Sequence, residues 1–214
     1  MIRDLKKRAE KIYDLLSLHY PEAGTALLHE NPFQLLVATI LSAQCTDKKV
    51  NEVTPLLFKR YPLPAGLAGA EIKDVEALIK PTGFYRNKAK NIMKMSRDLL
   101  EKFSGEVPRE MEKLTQLSGV GRKTANVVLG QAFGIPGIVV DTHVLRLSGL
   151  IGLTGNNDPE KVEFDLQRLL DRDKWTKFTG MLIRHGRAVC VARRPRCGEC
   201  CLLDQCEFGS GKKA

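Results

Sequence analysis

The sequence predicts an all-α protein, and three observations carry that expectation. Apolar residues recur at three- and four-residue intervals along most of the chain, strand-like alternation is nearly absent, and Pro and Gly cut the remainder into segments of about ten to twenty residues. Leu5, Ile12, Leu15 and Leu16 share one face of a first helix. Asn31 and Pro32 open a second, in which Phe33, Leu36, Val37, Ile40 and Leu41 repeat the pattern. Helical spacing continues over residues 48–61, 71–80, 86–103, 110–117, 122–133, 142–151, 159–170 and 175–191, with breaks at Pro62, Pro81, Gly105, Gly134 and Pro159. Residues 137–140 look extended, but four residues between Pro136 and Asp141 make a linker more readily than a sheet. The best boundary between two parts of the chain is at residues 134–137, where a long apolar helix ends and a more basic composition begins.

With 214 residues, 43% of them apolar, the chain can build a core without disulfide staples. A net charge of +9 favours a polyanionic partner, because each phosphate neutralised by Lys or Arg releases counterions, although charge alone also fits ribosomal and membrane-surface proteins. The basic N-terminus carries Asp4, Glu10 and Asp14 and no apolar run with a cleavage site, so an export signal is not expected. The longest uncharged runs fall short of the roughly 20 residues that span a bilayer. A soluble, cytoplasmic protein is expected.

Residues 117–129 read LSGVGRKTANVVL. Gly119 and Gly121 let the chain turn tightly, so that the backbone N–H groups around Val120, Gly121, Arg122 and Thr124 can meet a phosphate at the start of a helix whose dipole favours negative charge. Lys123 lies in the first turn of that helix. It is either a surface lysine on phosphate or, if partly buried beside Val120 and Val127 and so more easily deprotonated, a nucleophile able to form a Schiff base at a sugar C1′. Asp141 has two readings as well: a working carboxylate, or the cap of the helix beginning Thr142-His143-Val144. His143, one turn into that helix, reads more simply as a structural histidine than as a base, and it stands among the residues expected at the DNA. Gln44, in LSAQCTDKK, is a polar helix end or a side chain that enters the DNA stack; Phe84, in PTGFYRNKAKN, is a wedge or a core ring. Cys45 reads as a small core residue of an apolar helix.

Cys190, Cys197, Cys200 and Cys206 stand in one Gly- and Pro-containing segment with six, two and five residues between them, a one-loop cage for a tetrahedral centre. By spacing alone, structural zinc is favoured over an iron–sulfur cluster, and free thiols come last. No acidic residue occurs in residues 174–198, and Arg193, Arg194 and Arg196 fall inside the cage, where a fixed loop would aim them at phosphates without sequence specificity.

The strings LLVATILSAQCTDKKVN, TGFYRNKAKNI, LSGVGRKTANVVL and VVDTHVLRL, followed by the cysteine cage, in that order and spacing, resemble the endonuclease III family of the helix-hairpin-helix DNA glycosylase superfamily over residues 5–208. The resemblance implies a two-lobed fold with DNA bound across the cleft, a six-helix barrel over residues 25–135, and a second lobe of residues 1–24 and 136–214. It also implies a [4Fe-4S] cluster held by residues 190–206, reversing the preference for zinc. Lys123 falls on the family's Schiff-base nucleophile, Asp141 on its essential carboxylate, and Gln44 on the residue that fills the space left by an extruded nucleotide. The implied activity is removal of oxidised pyrimidines from duplex DNA, with β-elimination nicking the strand 3′ to the abasic site, by a monomer associated with the nucleoid. Phe84 stands where the family commonly has leucine, and Ser118 where the hairpin usually has proline.

Two rival readings fit part of this pattern. A monofunctional adenine glycosylase shares the hairpin and the cage but lacks the hairpin lysine and carries a glutamate in the first motif; LLVATILSAQ has no acid. A non-catalytic DNA-binding module would use the hairpin and metal loop as a clamp.

Overall fold

The helical spacing is realised as eleven α-helices among the described residues, 2–22 and 24–211, of this computed structural model. They are α1 (Ile2–His19), α2 (Pro32–Leu41), α3 (Asp47–Arg60), α4 (Pro64–Ala68), α5 (Ile72–Ile79), α6 (Tyr85–Phe103), α7 (Met111–Leu114), α8 (Arg122–Phe133), α9 (Thr142–Ile151), α10 (Pro159–Leu169) and α11 (Trp175–Ala188). No described residue is in a strand, and no helix among them is long and apolar enough to cross a membrane. The chain divides into two compact units, one of residues 25–135 and one that joins residues 1–24 to 136–214.

In the unit of residues 25–135, α2 is the centre. Its residues from Phe33 to Leu41 are all buried, and a helix without a polar face must be surrounded. The Asn31 side chain accepts from the Gln34 N–H at 3.0 Å, and Pro32 sits in the first turn, where its missing N–H is not needed. Around α2 pack α3, α6 and α8; α4 and α5 lie on α6, and α7 leans on α8. In the other unit, Ala9, Ile12 and Leu16 of α1 point with helical spacing into a core completed by Val144, Leu147, Leu166, Phe178 and Leu182. The Tyr13 ring stacks on Phe178 with centroids 6.4 Å apart.

Departures from the sequence-based expectation concentrate at helix ends. The helix expected over residues 110–117 stops at Leu114, because Leu117 leaves it to accept the Val120 N–H at 3.1 Å and close the hairpin turn. The one expected over 175–191 stops at Ala188, where the Val189 and Cys190 N–H groups both return to the His185 carbonyl. Helix α4 is not anticipated; five residues are too few to display a period. Cys45 is not helical: it lies in the turn between α2 and α3, packed against the core from its edge.

Candidate functional site

The hairpin joins α7 to α8 and is built around two conformational demands. Gly119 takes φ +78°, and a Cβ there would stand 3.0 Å from the Asn91 Cβ on α6. Leu117 and Val120 anchor the turn in the core, and the Ser118 hydroxyl donates to Asn91 Oδ1 at 3.4 Å. Gly121 then begins α8 with no side-chain cap, and no heavy atom lies within 4 Å of where its Cβ would be, so the face beyond the helix start is open. Arg122 and Thr124 are half-buried in the first turn. Lys123 is exposed. The partial burial expected from neighbouring valines is therefore wrong: Val120 turns into the core and leaves the lysine on the outside of the turn. Gly119→Ala forces a Cβ into both a left-handed backbone and Asn91, and a loss of about 1–2 kcal/mol is expected in thermal unfolding, with weaker duplex binding.

Two further residues of this unit have unusual backbones. Gln44, exposed in the turn after α2, has φ +52°, and Phe84, at the start of α6, has φ +47°. Phe84 is 66% exposed, which rules out the core-ring reading. Gln44 belongs to a turn rather than to the end of α2, and Thr46 caps α3 by accepting from the Lys49 N–H at 3.2 Å.

In the other unit, Asp141 is half-buried at the N-cap of α9. Its Oδ1 accepts from the His143 and Val144 N–H groups at 2.9 and 2.8 Å, so the cap leaves Oδ2 unused. The His143 ring lies against Gly186 of α11, where an added Cβ would meet Nδ1 at 3.0 Å.

Beyond α11 the chain makes the cysteine loop. Cys190, Cys197, Cys200 and Cys206 line one cavity whose walls include Leu147, Leu150, Ile151, Leu202 and Phe208; Cys201 does not face it. Among the described residues no three His, Cys, Asp or Glu side chains are grouped closely enough to hold a metal ion. Donors point at the sulfurs: Arg146 Nη1 to Cys190 Sγ at 3.5 Å and the Gly209 N–H to Cys206 Sγ at 3.3 Å, with His185 Nε2 at 3.3 Å from Cys200 Sγ. Burial pushes the Cys200 thiol up to about 11 and the His185 imidazole down to about 4. Arg193 and Arg194 are exposed, with Arg193 at φ +68°. Arg196 is spent on the loop itself, donating to the Ala188 carbonyl and pairing with Glu199 at 3.0 Å.

Sequence reasoning misses Asn91, which braces the hairpin, and Arg146 and His185, which reach the cysteines. Asn91 and Arg146 lie inside TGFYRNKAKNI and VVDTHVLRL without standing out there, and His185 lies in no such string; all three are on periodic helices where an inward polar residue is the available signal.

The family model for the HhH-GPD superfamily base excision DNA repair protein matches residues 37–172. Endonuclease III of Synechocystis sp. is 54% identical over 202 residues, covering 94% of this chain and 92% of that protein. The chain belongs to the endonuclease III family. Endonuclease III of Escherichia coli K12 is 41% identical over 203 residues, covering 95% of this chain and 96% of that protein. A solved structure of a trapped endonuclease III–DNA covalent intermediate superposes with a TM-score of 0.92 at 41% identity, covering 97% of this chain and 98% of that one. A thermostable thymine-DNA glycosylase, 20% identical with a TM-score of 0.86, shares the fold, which is thus the two-lobed helix-hairpin-helix glycosylase architecture. Against the endonuclease III pattern, the serine at position 118 has its own anchor in Asn91, so the hairpin keeps a tie to α6 where proline would otherwise stiffen it.

Proposed function

We propose that this chain is a base excision repair DNA glycosylase with AP lyase activity on duplex DNA bearing damaged pyrimidines or abasic sites, with Lys123 as nucleophile and Asp141 as its carboxylate partner. The observation that carries the reading is Lys123 itself: an exposed amine in the first turn of a glycine-capped helix, in a chain 41% identical to an endonuclease III trapped in covalent union with DNA. A stacked nucleotide hides its C1′, so the damaged one must leave the duplex first. Gln44 fills the gap and Phe84 wedges the neighbouring step. The hairpin N–H groups at Gly119, Val120 and Gly121 hold the phosphate, with Arg122 and Thr124 beside them, while Arg193 and Arg194 contact the backbone. Arg196 acts through the loop, and His143 sets the start of α9 near the carboxylate it follows.

The uncharged Lys123 amine attacks C1′, forming an N–C1′ bond as the glycosidic bond breaks, and the base leaves with a proton. The C1′–O4′ bond opens to an iminium as O4′ takes up a proton; water then accepts a C2′ proton, a C2′–C3′ double bond forms, and the C3′–O bond breaks with its electron pair leaving on the phosphate to release a 5′-phosphate strand. Asp141 stabilises the cationic sugar through the oxygen its cap does not use. Hydrolysis of the imine returns the amine. A duplex with one oxidised pyrimidine should therefore yield free base and a nicked strand with an unsaturated aldehyde at its 3′ end. Base release with nicking only after alkali would indicate a monofunctional glycosylase, and binding alone a non-catalytic module.

The cysteine loop fits a [4Fe-4S] cluster. Four thiols share an apolar cavity, N–H donors face their sulfurs, and the fifth cysteine turns away. When bound, such a group ties Cys190, Cys197, Cys200 and Cys206 into one rigid loop. Purified protein should be yellow-brown and carry about four iron atoms per chain by metal analysis. A colourless, zinc-loaded preparation would overturn this assignment.

A further inference from the structure

Gln44 and Phe84 share a feature beyond exposure: both are side-chain-bearing residues held in the left-handed region, at φ +52° and +47°, each at a cost of about 1–2 kcal/mol. Such conformations persist only where the surroundings impose them. One side chain touches the chain just ahead of both. Lys88, on the first turn of α6, is 5% exposed, and its Nζ donates to the Leu41 and Thr82 carbonyls, each at 2.8 Å. Leu41 ends α2, three residues before Gln44; Thr82 ends the 3-10 turn at 80–82, two residues before Phe84. Carbonyls at helix ends lack intrahelical donors, and a cation suits both.

Lys88 forms no ion pair among the described residues, and burial pushes its ammonium below the usual lysine range. An apolar side chain of the same length would fill the space without desolvating a charge. What the ammonium alone supplies is a tie between two carbonyls 41 residues apart in the chain.

We infer that Lys88 is a positioning residue: by binding the carbonyls that lead into both turns, it holds Gln44 and Phe84 at one fixed separation, so that the two side chains enter DNA as a unit when the damaged nucleotide leaves the stack. This rests on the reading of Gln44 and Phe84 as DNA-inserting residues. Lys88 itself touches no substrate.

The test is a cycle of Lys88→Met in the wild-type and Gln44→Ala/Phe84→Ala backgrounds, using full-length, cluster-loaded protein. Readouts are 2-aminopurine fluorescence for base extrusion, the kcat and KM of nicking, and affinity for undamaged duplex. In the wild-type background Lys88→Met should lower extrusion and kcat about 10- to 100-fold, with KM and undamaged-duplex affinity held. In the doubly substituted background it should have no further effect. An equal loss in both backgrounds overturns this inference alone, because Lys88 would then act elsewhere. Wild-type extrusion by the Gln44→Ala/Phe84→Ala protein overturns the DNA-inserting reading and this inference with it. Should Lys88→Met not fold, backbone order parameters of the unsubstituted, DNA-free protein decide. Values of about 0.85 at Gln44 and Phe84 support the tie, and values below about 0.6 overturn it.

Discussion

Lys123→Ala is expected to lose at least about 10³-fold in both base release and strand nicking while retaining its affinity for lesion-bearing duplex. The asymmetry follows from where the residue sits. On the proposed reading, the hairpin meets phosphate through the backbone N–H groups of Gly119, Val120 and Gly121, and none of these depends on the lysine side chain. Lys123 is exposed, and alanine is the best helix former, so folding stability should change by no more than about 0.5 kcal/mol. Loss of turnover without loss of fold or binding then isolates the amine. Single-turnover kinetics, thermal melts and duplex titrations measure the three quantities separately. Residual nicking within tenfold of wild type would mean that another group attacks the sugar.

Asp141→Asn should show the second-largest effect, a fall in turnover of about 10²- to 10⁴-fold with lesion binding held. This substitution separates the proposed role at the sugar from the cap, both carried by one side chain. Oδ1 caps α9 through two N–H groups, and asparagine caps about as well as aspartate, so α9 should remain folded. What disappears is the charge available to a cationic sugar. Asp141→Ala removes the cap too and should lower stability by about a further 1 kcal/mol. Parallel loss of binding and turnover in the asparagine variant, with a lowered melting temperature, would reduce Asp141 to a helix cap.

The longer helices are legible because each repeats the 3.6-residue period about three times or more. Residues 122–133 and 142–151 emerge with the bounds that spacing predicts, and α6 begins one residue early. What pattern reading cannot reach is local geometry imposed from a distance. A lysine in FYRNKAKN looks like a solvated cation, yet Lys88 is buried, because the carbonyls that receive it belong to Leu41 and Thr82. The left-handed backbones at Gln44 and Phe84 carry no signal either, since neither residue type favours that region. Cysteine spacing displays four sulfurs on one loop, but not the cavity they line, whose walls come from α9 as well as from the loop. Lys123 fails in the opposite direction: valines adjacent in sequence suggest burial, but the hairpin turns Val120 inward and leaves the amine outside.

Borohydride reduction during turnover on a lesion-bearing duplex, followed by peptide mapping, tests the central claim most directly. The imine nitrogen should be captured as a stable protein–DNA adduct on the peptide containing Lys123, and no adduct should form with Lys123→Ala. An adduct mapped to a different lysine, or none from folded protein that still binds the duplex, would contradict the account.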